Sequence, residues 1–256
     1  RGNVLTVLDG SLTSIGGLPV HLDLGAEIRC ICYTNNYIYA AMGSTGLSIV
    51  DVSTPAAPTV TSTFEPADGS SVGSVFVSGN YAYITNIGNR FKVLNVTNPA
   101  TPTEIGTENL PGLLVSAVNV HVSGNVAAVV DQVNGLHLLD VTTPSAPEWK
   151  SVTAIAGAFD VRIDGSYAYV ASIARGLDIV DYEDTGSVDN PQMRGSYTPV
   201  DGYSVGVFVD GNTAWLADQV NGFYEIDVTN KDNLSELLTP VSGVYSVVVD
   251  GANVYV

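Results

Sequence analysis

A ten-residue pattern recurs along the chain at nearly constant spacing and constrains the fold more than any other feature of the sequence. GLSIVDVSTP at 46–55 returns as GLHLLDVTTP at 135–144, and shorter or altered copies begin at 90, 176 and 222. The five copies start 44, 45, 41 and 46 residues apart. A period of roughly 40 to 50 residues is typical of β-propellers, in which each repeat folds into one blade of four short strands.

Each repeat carries the signals for four antiparallel strands. Dipeptides such as Ser78-Gly79 and Asp210-Gly211 lie between β-branched or aromatic runs and predict a tight hairpin from strand a to strand b. The GLxIVDV segment predicts strand c. The prolines that follow it predict the c–d turn, because proline cannot donate to a sheet ladder. No window shows a sustained 3.6-residue apolar period, so we expect an all-β fold with almost no helix.

The two ends of the chain predict one blade that is split between the termini. Residues 2–9 resemble strand c, whereas residues 251–256 resemble strands a and b. With five whole repeats, this predicts a six-bladed β-propeller with four antiparallel strands per blade. Residues 4–8 would pair with residues 253–256 to close it and remove the exposed edges. Seven blades is the alternative if residues are missing from either end.

The repeat resembles the LVIVD repeat of bacterial and archaeal surface proteins. The resemblance rests on GLxIVDV followed by Ser/Thr-x-Pro-x-x-Pro and preceded by GNxAY, and it covers nearly the whole chain. It implies a β-propeller, often part of a larger secreted or cell-surface protein, and no catalytic residues. Residues 182–191 and 230–235 depart from the proline pattern. These two c–d turns are therefore candidate places for specific binding.

Length and charge exclude several classes of protein. A chain of 256 residues with 45% apolar content can bury a core without disulfides or metals, and we expect one domain over residues 1–256. Acidic residues outnumber basic ones 26 to 9, for a net charge of −17. Such a surface repels phosphate backbones, so we expect no nucleic-acid partner and favour cationic partners, divalent ions or neutral glycans. No stretch approaches 18 apolar residues, and we expect no membrane-spanning segment.

Other features favour an extracellular or cell-surface location. The chain is poor in lysine, and glycosylation sequons begin at Asn95 and Asn233, both in predicted c–d turns. It starts at Arg1 without a signal peptide, which we interpret as a segment of a longer precursor. Cys30 and Cys32 lie two apart on a predicted strand. Their geometry is poor for a disulfide, and we expect them to pack between blades as small apolar residues.

Two loops have an identical sequence. DQVNG at 131–135 is repeated at 218–222, in predicted b–c loops on the face that surrounds the channel mouth. Their hard oxygen ligands suit Ca²⁺, so we predict a metal site formed by Asp131, Asn134, Asp218 and Asn221. The alternative is a shared loop conformation that ends in a glycine at positive φ.

The d–a crossover loops offer a second candidate site at the channel mouth. Carboxylates next to tyrosines in these loops suit a protein or glycan ligand. The candidate ligand-binding residues are Glu65, Asp68, Asp160, Asp201, Tyr203 and Tyr245.

The repeated aspartates of strand c have a structural interpretation. Each precedes the Ser/Thr-x-Pro turn of its own repeat, where its side chain can accept N–H groups of the turn. They are Asp9, Asp51, Asp140, Asp181 and Asp227.

The sequence contains no recognisable catalytic constellation. It lacks a nucleophile elbow, a phosphate-binding glycine loop and a zinc-binding helix, and we expect His121 and His137 to be packed. We therefore predict a non-enzymatic scaffold for protein or glycan recognition, or a self-assembling subunit of a filament or surface layer. The alternative is a glycan-acting enzyme, which would need two carboxylates roughly 5 to 10 Å apart at the channel mouth.

Overall fold

The computed structural model describes residues 2–7, 20–86, 88, 90–112, 117–183, 188–238, 248–250 and 253–255. All regular secondary structure in this part of the chain is β-strand. The chain divides into two compact units. The first is Arg1–Asn109 with Pro144–Ala146, and the second is Leu110–Thr143 with Pro147–Val256.

The first unit contains two four-stranded antiparallel sheets, called blades 1 and 2, and one two-stranded sheet. The two-stranded sheet is formed by β1 (Gly2–Val7) and β2 (Val20–Ile28). Blade 1 is formed by β3 (Cys30–Thr34), β4 (Tyr37–Ala41), β5 (Leu47–Asp51) and β6 (Thr59–Phe64). Blade 2 is formed by β7 (Val72–Ser78), β8 (Tyr81–Asn86), β9 (Arg90–Asn95) and β10 (Thr103–Asn109).

The second unit contains blades 3 to 5 and a second two-stranded sheet. Blade 3 is formed by β11 (Ala117–Ser123), β12 (Val126–Asp131), β13 (Gly135–Asp140) and β14 (Glu148–Thr153). Blade 4 is formed by β15 (Ala158–Asp164), β16 (Tyr167–Ser172), β17 (Gly176–Asp181) and β18 (Gln192–Tyr197). Blade 5 is formed by β19 (Ser204–Asp210), β20 (Thr213–Asp218), β21 (Gly222–Asp227) and β22 (Ser235–Leu238). The last sheet pairs β23 (Val248–Asp250) with β24 (Asn253–Tyr255).

The four strands of each blade follow sequence order, as the repeat predicts, and correspond to strands a, b, c and d. The a–b hairpins turn through residues at positive φ, such as Gly79 at 57° and Gly211 at 58°. Blade 1 has asparagines in its hairpin, Asn35 and Asn36, which tolerate this region better than most residues. The predicted glycine turns are confirmed in blades 2 to 5, and the asparagine turn of blade 1 was not predicted.

The repeated acidic position of strand c caps the c–d turn. Each side chain accepts the backbone N–H two residues further on, at distances between 2.8 and 3.1 Å. The residues are Asp51, Asn95, Asp140, Asp181 and Asp227. The predicted structural role is confirmed for the four aspartates, Asn95 makes the same bond without having been predicted to, and Asp9 lies outside the described residues.

Apolar side chains between adjacent blades form the core. Leu47 and Ile49 of blade 1 pack with Val75 of blade 2, and all three are almost fully buried. Equivalent clusters join blade 3 to blade 4 and blade 4 to blade 5. Cys30 and Cys32 form no disulfide and pack at the margin of the first cluster, as predicted.

The c–d turns of blades 2, 4 and 5 also contact strand d of the preceding blade. Ser62 Oγ donates to the carbonyl of Pro99 at 2.6 Å, and Ser151 Oγ donates to that of Val188 at 2.5 Å. The same contact is made between blades 4 and 5 by a backbone N–H, from Gly195 to Lys231 at 2.7 Å. These bonds tie the c–d turn to the neighbouring blade both in blade 2, which keeps the repeat's prolines, and in blades 4 and 5, which depart from them.

The terminal strands flank the blades of their own units. Leu5 of β1 packs with Ile38 and Val50 of blade 1, and β23 lies against β19 of blade 5. Among the described residues, β1–β2 and β23–β24 are separate two-stranded sheets. Leu8 and Val256 lie outside the described residues, and the closing pairing of residues 4–8 with 253–256 stays a prediction.

Candidate functional site: the loop platform of blade 5

Two loops of blade 5 join into one exposed surface, which we call the loop platform. It consists of residues 198–203, which lead into β19, and residues 219–221, which connect β20 to β21. The N–H of Gln219 donates to the carbonyl of Tyr203 at 3.0 Å. The side-chain amide of Asn221 donates to the carbonyl of Val200, also at 3.0 Å. The two loops therefore hold each other in place through backbone carbonyls.

Asp218 organises the platform from below. Its side chain is fully buried, and Oδ1 accepts the N–H groups of Val220 at 3.0 Å and Asn221 at 2.9 Å. Oδ2 accepts the hydroxyl of Ser204 at 2.9 Å. A buried carboxylate needs such partners to offset its desolvation. Both carboxylate oxygens are thus used to shape the loop.

The 198–203 loop is narrowly constrained by its own sequence. Asp201 adopts φ 53°, a conformation that aspartate tolerates better than most non-glycine residues. Gly202 follows at a position where a Cβ would lie 2.7 Å from Asp218 Oδ2 and 2.7 Å from the ring of Pro199. Since a side chain at 202 would collide with both, the loop conformation depends on this glycine.

The platform presents apolar side chains and one carboxylate to solvent. Val200 is 83% exposed, Val220 is 58% exposed and Tyr203 is 39% exposed. Asp201 is also exposed, and its carboxylate has no hydrogen bond or ion pair in the described part of the chain. Rigid loops with exposed aliphatic groups are a feature of contact surfaces rather than of a folded core.

Sequence reasoning found part of this platform. Asp201 and Tyr203 were predicted as ligand-binding residues, Asp218 and Asn221 as metal ligands, and the structure brings all four into one pair of loops. It missed the two valines and Gln219. The available signal was a valine in each predicted loop, flanked by turn-forming residues.

The identical loop of blade 3 has the same backbone cap and a different buried partner. Asp131 Oδ1 accepts the N–H groups of Val133 at 2.7 Å and Asn134 at 2.5 Å. Its Oδ2 lies 2.6 Å from His137 Nε2. Trp149 donates to His137 Nδ1 at 3.3 Å, so the histidine carries its proton on Nε2 and donates it to Asp131.

Asp131 is ionised in this arrangement. Burial by itself would raise the pKa of Asp131, but hydrogen bonds from His137 and from the amides of Asn134 and Val133 outweigh it and lower the pKa. The shared conformation of the two DQVNG loops therefore follows from an aspartate cap. No group of three or more His, Cys, Asp or Glu within the described ranges could hold a metal. Ca²⁺ binding at Asp131, Asn134, Asp218 and Asn221 stays a prediction.

The channel-mouth candidates of blade 2 lie in a charged network. Asp68 accepts from Ser70 Oγ at 2.5 Å and from Lys92 Nζ at 3.1 Å, and it also pairs with Arg90. Hydrogen bonds from the hydroxyl and the backbone amide of Ser70, followed by the ammonium of Lys92, hold the pKa of Asp68 well below its usual range despite partial burial. Lys92 also contacts Glu104 at 2.9 Å. Glu65, the other candidate here, is exposed.

Asp160 was predicted to bind a ligand at the channel mouth, just beyond the crossover loop at 155–158. It lies within β15, it is 7% exposed, and its carboxylate accepts hydrogen bonds from three blades. Asn119 donates from blade 3, the N–H of Val161 from blade 4 at 2.9 Å and that of Val207 from blade 5 at 2.9 Å. This carboxylate joins innermost strands instead of lining a mouth. Tyr245 lies outside the described residues.

The histidines of blade 3 are packed between strands. His121 Nδ1 accepts the N–H of Ile163 in blade 4 at 3.2 Å. Burial, followed by the nearby charge of Arg162, lowers the pKa of His121 to about 3. His121 and His137 are not opposite one another, since both pair with β12, at Ala128 and Val129 respectively.

The two sequons differ in accessibility. Asn95 is half-buried, and its side-chain oxygen accepts the N–H of Thr97 at 2.9 Å in the c–d turn. Asn233 is exposed on the c–d turn of blade 5. Glycosylation of either residue stays a prediction.

A cleft lies between blades 3 and 4, at the irregular c–d turn of residues 182–191. This cleft of about 440 Å³ is lined in part by Asp140, Lys150, Glu183, Val188 and Asp189. The ammonium group of Lys150 in this cleft is already paired, because its Nζ lies 2.8 Å from Glu148. That contact, with the charges of Asp189 and Asp140, raises the pKa of Lys150.

Solved structures share the fold at low sequence identity. The computationally designed Ika8 protein matches with a TM-score of 0.71 at 8% identity, covering 99% of this chain and 77% of that one. A chain of the Mitotic Checkpoint Complex matches with a TM-score of 0.68 at 11% identity, covering 86% and 66%. Such identities show the fold alone. No curated protein matches the sequence.

Repeated antiparallel blades, with four further strands at the chain ends, define the fold class as a six-bladed β-propeller. The family model of the LVIVD repeat matches five times, at residues 31–65, 69–109, 116–153, 157–198 and 201–239. The chain belongs to the LVIVD repeat family. No helix in the described residues has the length and apolar character needed to cross a membrane.

Proposed function

We propose that this β-propeller is a non-enzymatic interaction module that binds a partner macromolecule through the loop platform of blade 5. The observation that carries the proposal is the exposure of Val200, Val220 and Tyr203 on two loops that hydrogen bonds hold rigid. A preordered surface loses little conformational entropy when it binds, so more of its contact energy appears as affinity.

The state of the predicted carboxylates supports a role without catalysis. Hydrolysis of a glycosidic bond uses two carboxyl groups free to act on the substrate. Asp68 is held by Ser70, Arg90 and Lys92, and Asp160 accepts hydrogen bonds from three blades. These contacts hold both groups in structural roles.

We place the protein outside the cell or at its surface. The supporting features are the net charge of −17, the scarcity of lysine and the exposed sequon at Asn233. Cell fractionation of the producing organism, with an antibody against this chain, tests the location. Signal confined to the cytoplasm would contradict it.

The proposed function is tested by selecting binders from a displayed random-peptide library and from a glycan array. Each selected binder is then measured against Val220→Asp and against the matched control Val133→Asp, which changes the same position of the identical loop in blade 3. We expect Val220→Asp to weaken binding about tenfold or more, as for a residue at the centre of a contact surface, and Val133→Asp to leave it unchanged.

Equal effects of the two substitutions would contradict the platform. Binders sensitive to Asp189→Asn, and insensitive to Val220→Asp, would place recognition in the cleft between blades 3 and 4 instead. Thermal melting of each variant confirms that the fold is intact before its binding is interpreted.

A further inference from the structure

We propose that the partner of the loop platform is a short basic peptide segment in which arginine or lysine stands next to an aliphatic residue. This inference rests on the proposed function, because it names the chemistry of the partner that the platform takes. Three properties of the platform lead to it: its aliphatic surface, its uncompensated carboxylate and its small size.

The aliphatic surface favours a peptide over a glycan. Val200 and Val220 are the most exposed apolar side chains of the platform, and burying them under another apolar side chain is favourable in proportion to the area removed from water. A sugar would bring hydroxyl groups against these valines. Those hydroxyls would lose water without gaining hydrogen bonds.

The charge of the platform favours a basic segment. Asp201 is exposed and has no ion-pair partner among the described residues, and the chain as a whole carries −17. An acidic segment would be repelled at close range. A lysine or arginine lays its apolar stem on aliphatic groups while its charge reaches a carboxylate. The ring of Tyr203 offers the same cation a second favourable surface.

The size of the platform favours a short segment and weak binding. Three exposed side chains form a surface well below the roughly 800 Å² per partner that stable protein complexes bury. We therefore expect a dissociation constant of about 10 μM or weaker for a single segment, with rapid exchange. Tighter binding would need several segments on one partner chain.

The test uses three fluorescein-labelled twelve-residue peptides with Gly/Ser flanks. The first has two arginines alternating with two leucines, the second has glutamates in place of the arginines, and the third has serines in place of the leucines. Fluorescence anisotropy on the full chain is expected to rank the first peptide about tenfold tighter than either of the others, which corresponds to one buried apolar contact or one charge pair. Val220→Ser should remove about tenfold of that affinity, and Asp201→Asn about threefold with a weaker dependence on salt. Val133→Ser should leave it within about twofold.

Each outcome decides the proposal. If all three peptides bind equally, or none binds, the basic-aliphatic partner is overturned. If the first peptide binds and ignores Val220→Ser and Asp201→Asn, the attraction is general to the acidic surface and the proposal is overturned as well. If library binders lose affinity with Val220→Asp but are glycans or acidic peptides, the platform function stands and only this inference fails.

Discussion

The two DQVNG loops, in blades 3 and 5, have the same five residues and the same aspartate cap, but their side chains form hydrogen bonds with different neighbours. In both, an aspartate accepts the N–H groups of the following valine and asparagine. In blade 3, the second carboxylate oxygen binds His137, and Asn134 turns back to Asp131 at 3.2 Å. In blade 5, that oxygen binds Ser204, and Asn221 reaches outward to Val200.

The difference comes from residues outside the pentapeptide. Position three of strand c is His137 in blade 3 and Tyr224 in blade 5, and only the histidine donates to the cap. The crossover loop of blade 5 supplies an exposed carbonyl at Val200 for the asparagine. An identical sequence thus fixes the loop backbone, while its neighbours decide whether the asparagine bonds back to the capping aspartate or across to a crossover loop.

The largest expected effect tests the shared backbone. Gly135 and Gly222 end the two loops at φ 104° and 105°. Alanine at Gly135 would place its Cβ 2.3 Å from the N of Ile155, so strain and overlap together should destabilise the protein by about 3 kcal/mol or more. Gly222→Ala should cost about 1 to 3 kcal/mol from backbone strain. Urea unfolding measures both.

Gly124→Ala is the control for these two variants. Its φ is 55°, and no atom lies within 4 Å of the added Cβ, so it should cost about 1 kcal/mol from backbone strain alone. A neutral Gly222→Ala alongside a damaging Gly135→Ala would show that the loops do not share their backbone.

The next largest effect on stability distinguishes the aspartate caps of the two loops, Asp131 and Asp218. Asp131→Ala leaves the buried His137 and two amides without an acceptor, and should cost about 3 kcal/mol. Asp218→Ala leaves the Ser204 hydroxyl and two amides without an acceptor but involves no buried histidine, and should cost about 2 kcal/mol. Chemical unfolding of the two variants gives the difference directly. Equal costs would mean that the histidine contributes nothing to the blade 3 loop.

Acid should reveal the same difference through Asp131. Its pKa is lowered in the folded protein, so the folded state binds fewer protons than the unfolded state as the pH falls. The stability that the carboxylate contributes is full above the unfolded value of about 4 and is lost as the pH falls through the folded pKa. Asp131→Asn should therefore flatten the fall in stability below about pH 4. Asp232→Asn, at an exposed turn residue, is the matched control and should follow the unaltered protein.

The smallest effect concerns the two asparagines. Asn134→Ser and Asn221→Ser each remove one side-chain hydrogen bond and should cost about 1 kcal/mol or less. Only Asn221→Ser releases the carbonyl of Val200 and loosens the platform. It should weaken partner binding about threefold, against no change for Asn134→Ser, because a loosened loop must be reordered on binding. Titration with a selected partner measures both.

The comparison also shows where sequence reasoning succeeds. The period, the hairpin dipeptides and, in three repeats, the c–d prolines predicted the five whole blades and their strand order, because these signals are local and recur along the chain. The aspartate caps were predictable for the same reason, since each bond joins residues two apart. Contacts repeated within each unit leave a repeated trace in the sequence.

Most side-chain contacts between blades could not be predicted from the repeats. Asp160 lies two residues inside a strand, so its sequence position resembled a crossover residue, and its partners Asn119 and Val207 are more than 40 residues away. The position of Val200 next to the loop of Val220 depends on how two loops meet. No single repeat encodes that arrangement, and valine in a loop is equally compatible with burial.

Hydrogen exchange with and without a saturating selected partner tests the platform most directly, because both DQVNG loops are read in one sample. If the loop platform binds the partner, we expect slower exchange in peptides covering residues 198–204 and 219–222 when the partner is bound, and unchanged exchange in the peptide covering residues 131–135. Equal protection of the two identical loops, or protection of the blade 3 loop alone, would contradict the assignment of recognition to blade 5.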